Sequence, residues 1–412
     1  MKGLRNSLAV TALLVLLPAL ALWLFPRGSA RGLDRLLLEA SLFQTHRSRP
    51  ADPPPALWTQ RLGPQAAPLW SARPQLWWQF WGTHSSAGAV LVLEVPPKTP
   101  LPENALRFEQ LTLVAPNPLV RNELQAQLRL DRPSLRGLER RCAQQLQRGD
   151  AVYWSAAGLS SLLGPLAPLA SSLQQGCLAL SSEGNRLLWS GEADAARGSL
   201  AAGPRPVPRA QTRALAPPTL LALQGPKLEL LLRGLLSSGA LKQALAERYG
   251  LKADALKRLS QSPFVLRLSA VERGPFLAGL QLQLRLRDGR SFWTARLAAV
   301  EQALKDQGLA PSPGDTDQRL WSRDGVAQGG WRWLSKQQLL LFLGPPPAAV
   351  EAEVAEGPAS WSLQLSPRQL QAKGLLPSLL PLVVRRAGQL EITGEHPRGV
   401  DGQTALSGEL KL

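Results

Sequence analysis

The chain has 412 residues, 44% of them hydrophobic, which excludes a disordered protein and requires a packed globular body. Its 47 Lys and Arg against 30 Asp and Glu give a formal net charge of +17, enough to draw it towards anionic phospholipid or nucleic acid. The excess is diffuse, and plentiful Arg, Leu, Ala and Pro beside scarce Met, Tyr and His match a GC-rich coding bias, so charge alone identifies no partner.

Lys2 and Arg5 precede an unbroken apolar run from Leu8 to Phe25. At about 1.5 Å rise per residue the run makes roughly 27 Å of helix, close to the hydrocarbon thickness of a thin bilayer. Residues 1–30 are therefore expected to hold an N-terminal transmembrane helix. Gly28 and Ala30 offer the alternative of a cleaved signal peptide. A short tail before a first hydrophobic segment favours an exported body on the periplasmic or lumenal side. Arg27, Arg31 and Arg35 pull the positive-inside count the other way.

Residues 31–87 follow as an amphipathic helix and a tether. Leu33, Leu36, Leu37 and Phe43 alternate with charge over Arg31 to Phe43. Pro50 to Pro74 contains Pro53, Pro54, Pro55, Pro64 and Pro68 and is expected to be semi-extended. Trp70, Trp77, Trp78 and Trp81 cluster where this tether meets the body. Trp has an apolar ring with one donor, suited to a core, a membrane interface or a ligand groove. Core packing is its commonest fate. With Arg61 and Arg73 nearby, these four residues are also the candidate contacts for anionic lipid or ligand.

Beyond the tether the sequence repeats itself. Leu124-Gln-Ala-Gln-Leu-Arg-Leu130 reappears as Leu280-Gln-Leu-Gln-Leu-Arg-Leu286, both alternating apolar and polar as half-buried strands do. Each is followed by a helical pattern, Leu135, Leu138, Cys142 and Leu146 in one and Trp293, Leu297, Val300 and Leu304 in the other, the latter stopped by Gly308. Trp154-Ser155 answers Trp361-Ser362, and Leu162 to Leu169 answers Leu375 to Leu382. A strand at Cys177 to Ser181 answers Gln389 to Thr393, and Leu188 to Glu192 answers Ala405 to Glu409. The expected plan is two related α+β domains, residues 88–200 and 219–412, joined by a linker over 201–218. Each is an antiparallel sheet with helices packed on one face. The second copy adds a helical piece, Leu228 to Leu259, and a strand pair, Trp331 to Leu334 and Gln338 to Leu343.

Motifs for chemistry are missing. His46, His84 and His396 form no pair at ligand spacing, so neither a metal nor a cofactor is expected. The serines of Gly158-Leu-Ser-Ser-Leu-Leu-Gly164 do not make a nucleophile elbow. Asp315 and Asp317 lack the remaining ligands of a cation loop. No glycine-rich phosphate loop occurs. The arginines form no basic stripe, which argues against nucleic acid. Cys142 and Cys177 suit two buried thiols, with a disulfide across 35 residues as the alternative if the body is exported.

The strand Leu280 to Leu286, the helix Trp293 to Leu304, the Trp321 to Leu343 hairpin region and the Leu375 to Leu382 segment resemble uncharacterised membrane-anchored cyanobacterial proteins with a duplicated domain of unknown function. The resemblance spans residues 88–412. It implies an envelope- or thylakoid-associated protein and carries over no functional residue. The expected function is a membrane-anchored, non-catalytic envelope protein that binds a protein or lipid-like partner near the membrane. The alternative is a hydrolase using Asp, Glu or Ser in a cleft between the repeats.

Overall fold

The computed structural model describes residues 29–48, 52–72, 75–82, 88–163, 173–194, 215, 217–236, 238–271, 276–312, 317–347, 354, 360–376, 382–395 and 404–412. The chain divides into two compact units, Met1–Gln147 and Arg148–Leu412.

In the first unit the order is α1 (Gly32–Glu39), β1 (Ala40–Arg47), α2 (Ala56–Leu62), a 3-10 turn (Gly63–Gln65), α3 (Ala66–Ser71), β2 (Leu76–Gly82), β3 (Val90–Glu94), β4 (Ala105–Phe108), β5 (Leu111–Val114), α4 (Pro118–Leu128) and α5 (Gly137–Leu146). The strands pair antiparallel in the order β1–β2–β3–β5–β4. Because strand side chains alternate, Trp77 and Trp78 leave β2 on opposite faces, and both are buried. Trp77, Leu91, Leu93 and Val114 form one apolar cluster with Trp58, Leu62 and Ala66 of α2 and α3. On the other side the indole N–H of Trp78 donates to the Leu146 carbonyl at 3.1 Å, and the Thr45 hydroxyl donates to the same oxygen at 2.8 Å.

Three local expectations change here. The amphipathic helix from Arg31 ends at Glu39, and Phe43 lies instead on β1, where it packs edge-on against Phe80 at 6.0 Å. Much of the proline-rich tether is helical. Pro55 immediately precedes α2 and Pro64 opens the 3-10 turn, positions where a missing N–H costs little, and Trp58, Leu62 and Ala66 recur at helical spacing. Leu124 to Leu128 is helix rather than strand. Asn117 caps α4 by accepting from the Val120 N–H at 3.0 Å, Pro118 opens the first turn, and Val120, Leu124 and Leu128 form its buried stripe.

In the second unit the order is β6 (Ala151–Trp154), α6 (Ala156–Leu163), β7 (Gln175–Glu183), β8 (Arg186–Asp194), β9 (Thr219–Gly225), α7 (Glu229–Leu235), α8 (Gly239–Tyr249), α9 (Ala253–Ser260), β10 (Phe264–Ala270) and β11 (Ala278–Arg285). It continues as α10 (Gly289–Asp306), β12 (Ala310–Pro311), β13 (Gln318–Arg323), β14 (Val326–Trp333), β15 (Gln338–Leu343), β16 (Ser360–Leu365), α11 (Pro367–Ala372), α12 (Leu382–Arg386), β17 (Gln389–Glu395) and β18 (Thr404–Lys411). All the pairings are antiparallel, in the order β6–β7–β8–β18–β17–β16–β9–β10–β11–β15–β14–β13–β12. The β8–β18 seam joins Leu188 to Glu192 with Ala405 to Glu409, the segments whose sequences match, and Ser190 pairs with Ser407. Trp154 lies against Gly176 and Trp361 against Gly394, each ring occupying the space a Cβ would need.

The α+β class, with a large antiparallel sheet and helices packed on it, describes the protein. The expected transmembrane helix is corrected: among the described residues no helix is long and apolar enough to cross a membrane. The Leu8 to Phe25 run on which it was read lies outside the described residues. The single-pass placement and the membrane as a partner through that anchor fall with it.

One ion network holds α1 to the end of α4. The guanidinium of Arg35, almost fully buried, donates to Glu39 at 2.6 Å and to the carbonyls of Gln127 and Leu130 at 2.5 and 3.0 Å. Arg132 adds a second contact to Glu39 at 3.1 Å. Burial pushes the Glu39 carboxyl up, but the hydrogen bonds and charges of Arg35 and Arg132 outweigh it and hold the group below its ordinary value of 4.5. A lowered carboxyl contributes stability above its unfolded value and loses it as pH falls through the folded one. Glu39→Gln should destabilise the first unit by about 2 kcal/mol near neutrality. In denaturation curves taken across pH, the gap between the two proteins should shrink once pH falls below 4.5. A gap that stays constant into acid would contradict the assignment.

Candidate functional site

The functional candidate in the second unit is a hollow between α10 and the sheet. On β11, Leu280, Leu282 and Leu284 share one face by strand alternation, and the register sets them beside Leu343, Leu341 and Leu339 of β15. Those residues in turn neighbour Gly329, Trp331 and Trp333 of β14. From Leu280 to Leu284 this apolar floor is about 13 Å long at the usual strand rise. Above it, Trp293, Leu297, Val300 and Leu304 recur at helical spacing along α10.

The two surfaces seat against each other only at one end. There Trp293 and Leu297 join Phe264, Leu284, Leu286, Trp333 and Leu339 in a buried cluster. Further along, Leu280, Leu282, Trp331 and Leu341 below and Val300 and Leu304 above stay half-buried. A partly open cavity of about 450 Å³ lies between them, with Leu251, Leu259, Leu309 and Trp321 completing the wall. None of its lining residues is Ser, Cys, His, Asp or Glu, so the wall offers neither a nucleophile nor a general base.

The turn between α8 and α9 shapes the rim. Gly250 ends α8 with φ +66°, and the Ala299 Cβ stands 3.0 Å from where a Cβ of its own would lie, so the position needs glycine for both conformation and close approach. That turn delivers Leu251 to the wall and Asp254 to Arg296 of α10, at 3.2 Å. The Asp254 carboxyl is held below its ordinary range, first by the backbone N–H of Ala255 and also by Arg296.

A second hollow, in the first unit, is polar. Arg31, Asp34, Gln75, Glu94, Glu109 and Gln110 are among its lining residues. Burial raises the Asp34 carboxyl, and Arg140 partly offsets the rise. Among the described residues no group of three or more His, Cys, Asp or Glu side chains could hold a metal ion.

The candidate lipid- or ligand-contact residues of the sequence belong to the first unit, and none of them is among the residues that line the apolar cavity. Trp77 and Trp78 are buried in the first unit, and Trp77 stacks on His46 at 4.2 Å. Trp70 is half-buried against Trp58 at 4.9 Å and donates to the Asp52 carbonyl at 2.7 Å, and Trp81 is half-buried on β2. Arg61 donates twice to the Ala89 carbonyl, at 3.2 and 3.1 Å. Arg73, His84, Asp315 and His396 lie outside the described residues, as do parts of the Leu162 to Leu169 and Leu375 to Leu382 segments and most of the 201–218 linker. Both Cys142 and Cys177 are disulfide-bonded. The sequence pattern does not by itself disclose the cavity. Its signal was the conjunction of the Leu280 to Leu286 alternation with Trp331 and Trp333 on one strand face.

No family model matches the chain, and no curated protein matches it. Among solved structures it is similar to TP0453, a Treponema protein. Crystal form III gives a TM-score of 0.27 at 10% identity, over 47% of this chain and 90% of that one. Crystal form I gives 0.23 at 10% identity, over 45% and 75%. Likenesses this slight carry no argument about fold or function. The resemblance to cyanobacterial membrane-anchored proteins is corrected: no match connects the chain to that group, and the pattern behind it was a Leu-, Arg- and Gln-rich strand and helix alternation that many α+β sheets share.

Alkylation of the native protein without reduction should leave its intact mass unchanged, and reduction should expose two thiols to the reagent. Uptake of the reagent before reduction would contradict the disulfide.

Proposed function

We propose that the protein is a binding protein whose second unit takes up an apolar, lipid-like ligand beneath α10. The observation that carries this is the cavity: a hollow of about 450 Å³ floored by leucines and roofed by Trp293, Leu297, Val300 and Leu304. Protein interiors pack to crystal-like density, so apolar surfaces that face each other across such a gap forgo dispersion contacts. A polar, roomy hollow holds water through several hydrogen bonds, whereas one walled by Leu and Trp offers water few partners and favours an apolar guest. Its volume lies within the range of about 300–1,000 Å³ usual for small-molecule sites.

The hydrolase alternative needs a nucleophile or a carboxylate pair facing its substrate. The lining of this cavity supplies neither, so this cavity supports binding, whereas the hydrolase reading placed its groups in a cleft between the repeats.

The test fills the cavity from the roof. Val300 is half-buried and lines the hollow, so Val300→Trp places an indole where the ligand would lie. The neutral fluorescent probe N-phenyl-1-naphthylamine should bind the native protein and should bind Val300→Trp about tenfold or more weakly, a loss of at least ~1.4 kcal/mol. The thermal midpoint of the variant should fall little, because the added ring enters empty space. Equal binding by both proteins would place the probe elsewhere and overturn the reading.

A further inference from the structure

The apolar cavity has one charged residue in its wall. Arg296 stands on α10 between Trp293 and Val300 and is the single ionisable side chain among the lining residues; its hydrocarbon stem meets the cavity and its guanidinium turns to Phe292 and Asp254 at the edge. Its guanidinium lies 3.5 Å from the Phe292 ring centroid and donates through Nη1 to the Phe292 carbonyl at 2.9 Å. Nη2 donates to Asp254 Oδ2 at 3.2 Å. The side chain of Asp254 is 55% exposed and that of Arg296 is 25% exposed. The pair therefore stands at the solvent edge, where water and salt screen it and exchange of one anion for another is easy.

A guanidinium binds a carboxylate best through two parallel N–H···O bonds. Asp254, tethered to α9, meets Arg296 through one nitrogen only. The edge formed by Nε and Nη2 suits a carboxylate free to turn, and such a carboxylate at the rim leaves its hydrocarbon chain over the rows of leucine below. A neutral apolar guest would use the leucines and ignore the cation.

We propose that the ligand of this cavity is a single-chain fatty carboxylate whose head binds Arg296 in the place now held by Asp254. The inference rests on the reading of the cavity as a binding site. A volume of about 450 Å³ suits one chain, being in the lower part of the range of ~300–1,000 Å³ for small-molecule sites.

The experiment compares laurate with dodecanol, which has the same chain and no charge, as displacers of bound N-phenyl-1-naphthylamine at a pH where laurate is ionised. The native protein should bind laurate about tenfold or more tightly than dodecanol, as expected for charge-assisted hydrogen bonds. Arg296→Gln should abolish that preference by weakening laurate far more than dodecanol, and an unchanged far-UV circular dichroism spectrum shows that the variant is folded. Asp254→Asn should strengthen laurate binding, because it removes the competing carboxylate. If Arg296 and Asp254 only tie α9 to α10, both substitutions should shift laurate and dodecanol by similar factors, and the inference is overturned. Equal binding of laurate and dodecanol by the native protein overturns it too while leaving the cavity a binding site, as does tighter binding of dodecyl phosphate than of laurate. Failure of both laurate and dodecanol to displace the probe overturns the binding site itself.

Discussion

The second unit depends on how far α10 closes onto the leucine face of β11 and β15. Towards its N-terminal end the helix is seated: Trp293 and Leu297 sit in a buried cluster with Leu284, Leu339 and Trp333, and their far sides begin the cavity wall. Burying side chains of this size contributes roughly 1.5–3 kcal/mol each, enough to anchor the helix from one end. Towards Leu304 the same apolar stripe remains, but the sheet below stays half-exposed and a cavity opens. A helix seated at one end and lifted at the other gives a pocket whose floor and roof are both made by ordinary amphipathic patterning.

The first unit shows the opposite outcome from similar materials. Trp58, Leu62 and Ala66 close fully over Trp77, Leu91, Leu93 and Val114, and Trp70 packs on Trp58 from the side. Its tryptophans are spent on packing and on hydrogen bonds to carbonyls, as with Trp78 and Leu146. The polar hollow near Asp34 lies elsewhere, lined by side chains of both charges. The contrast locates the ligand-binding candidate by the state of the apolar surface, with Trp content a poor guide.

Much of the second unit was legible because strand and helix periods there are long and clean. The alternation of Leu280 to Leu286, the stripe Trp293 to Leu304 with its Gly308 stop, and the hairpin around Ser335 and Lys336 correspond to β11, α10 and the β14–β15 pair. Leu124 to Leu130 carries the same alternation yet is mostly helix, because Val120, Leu124 and Leu128 also satisfy the helical period and Asn117 with Pro118 supplies the start. The 52–72 stretch misled through its prolines, which mark helix starts as readily as extended chain. The cavity was illegible for a different reason: periodicity says which face of an element is apolar, and the distance at which two apolar faces come to rest is set by tertiary packing. Arg296 gave no signal because its pairing with Asp254 depends on the turn at Gly250, while its contact with Phe292 is an ordinary i, i+4 neighbour contact on α10.

The most direct measurement is the position of a terminally brominated dodecanol in crystals of the protein, located by its anomalous scattering. The account predicts a bromine peak beneath α10, in contact with residues such as Leu282, Leu341 and Val300. A fully occupied site found only outside this cavity, or no ordered bromine at a concentration that saturates binding in solution, would contradict it.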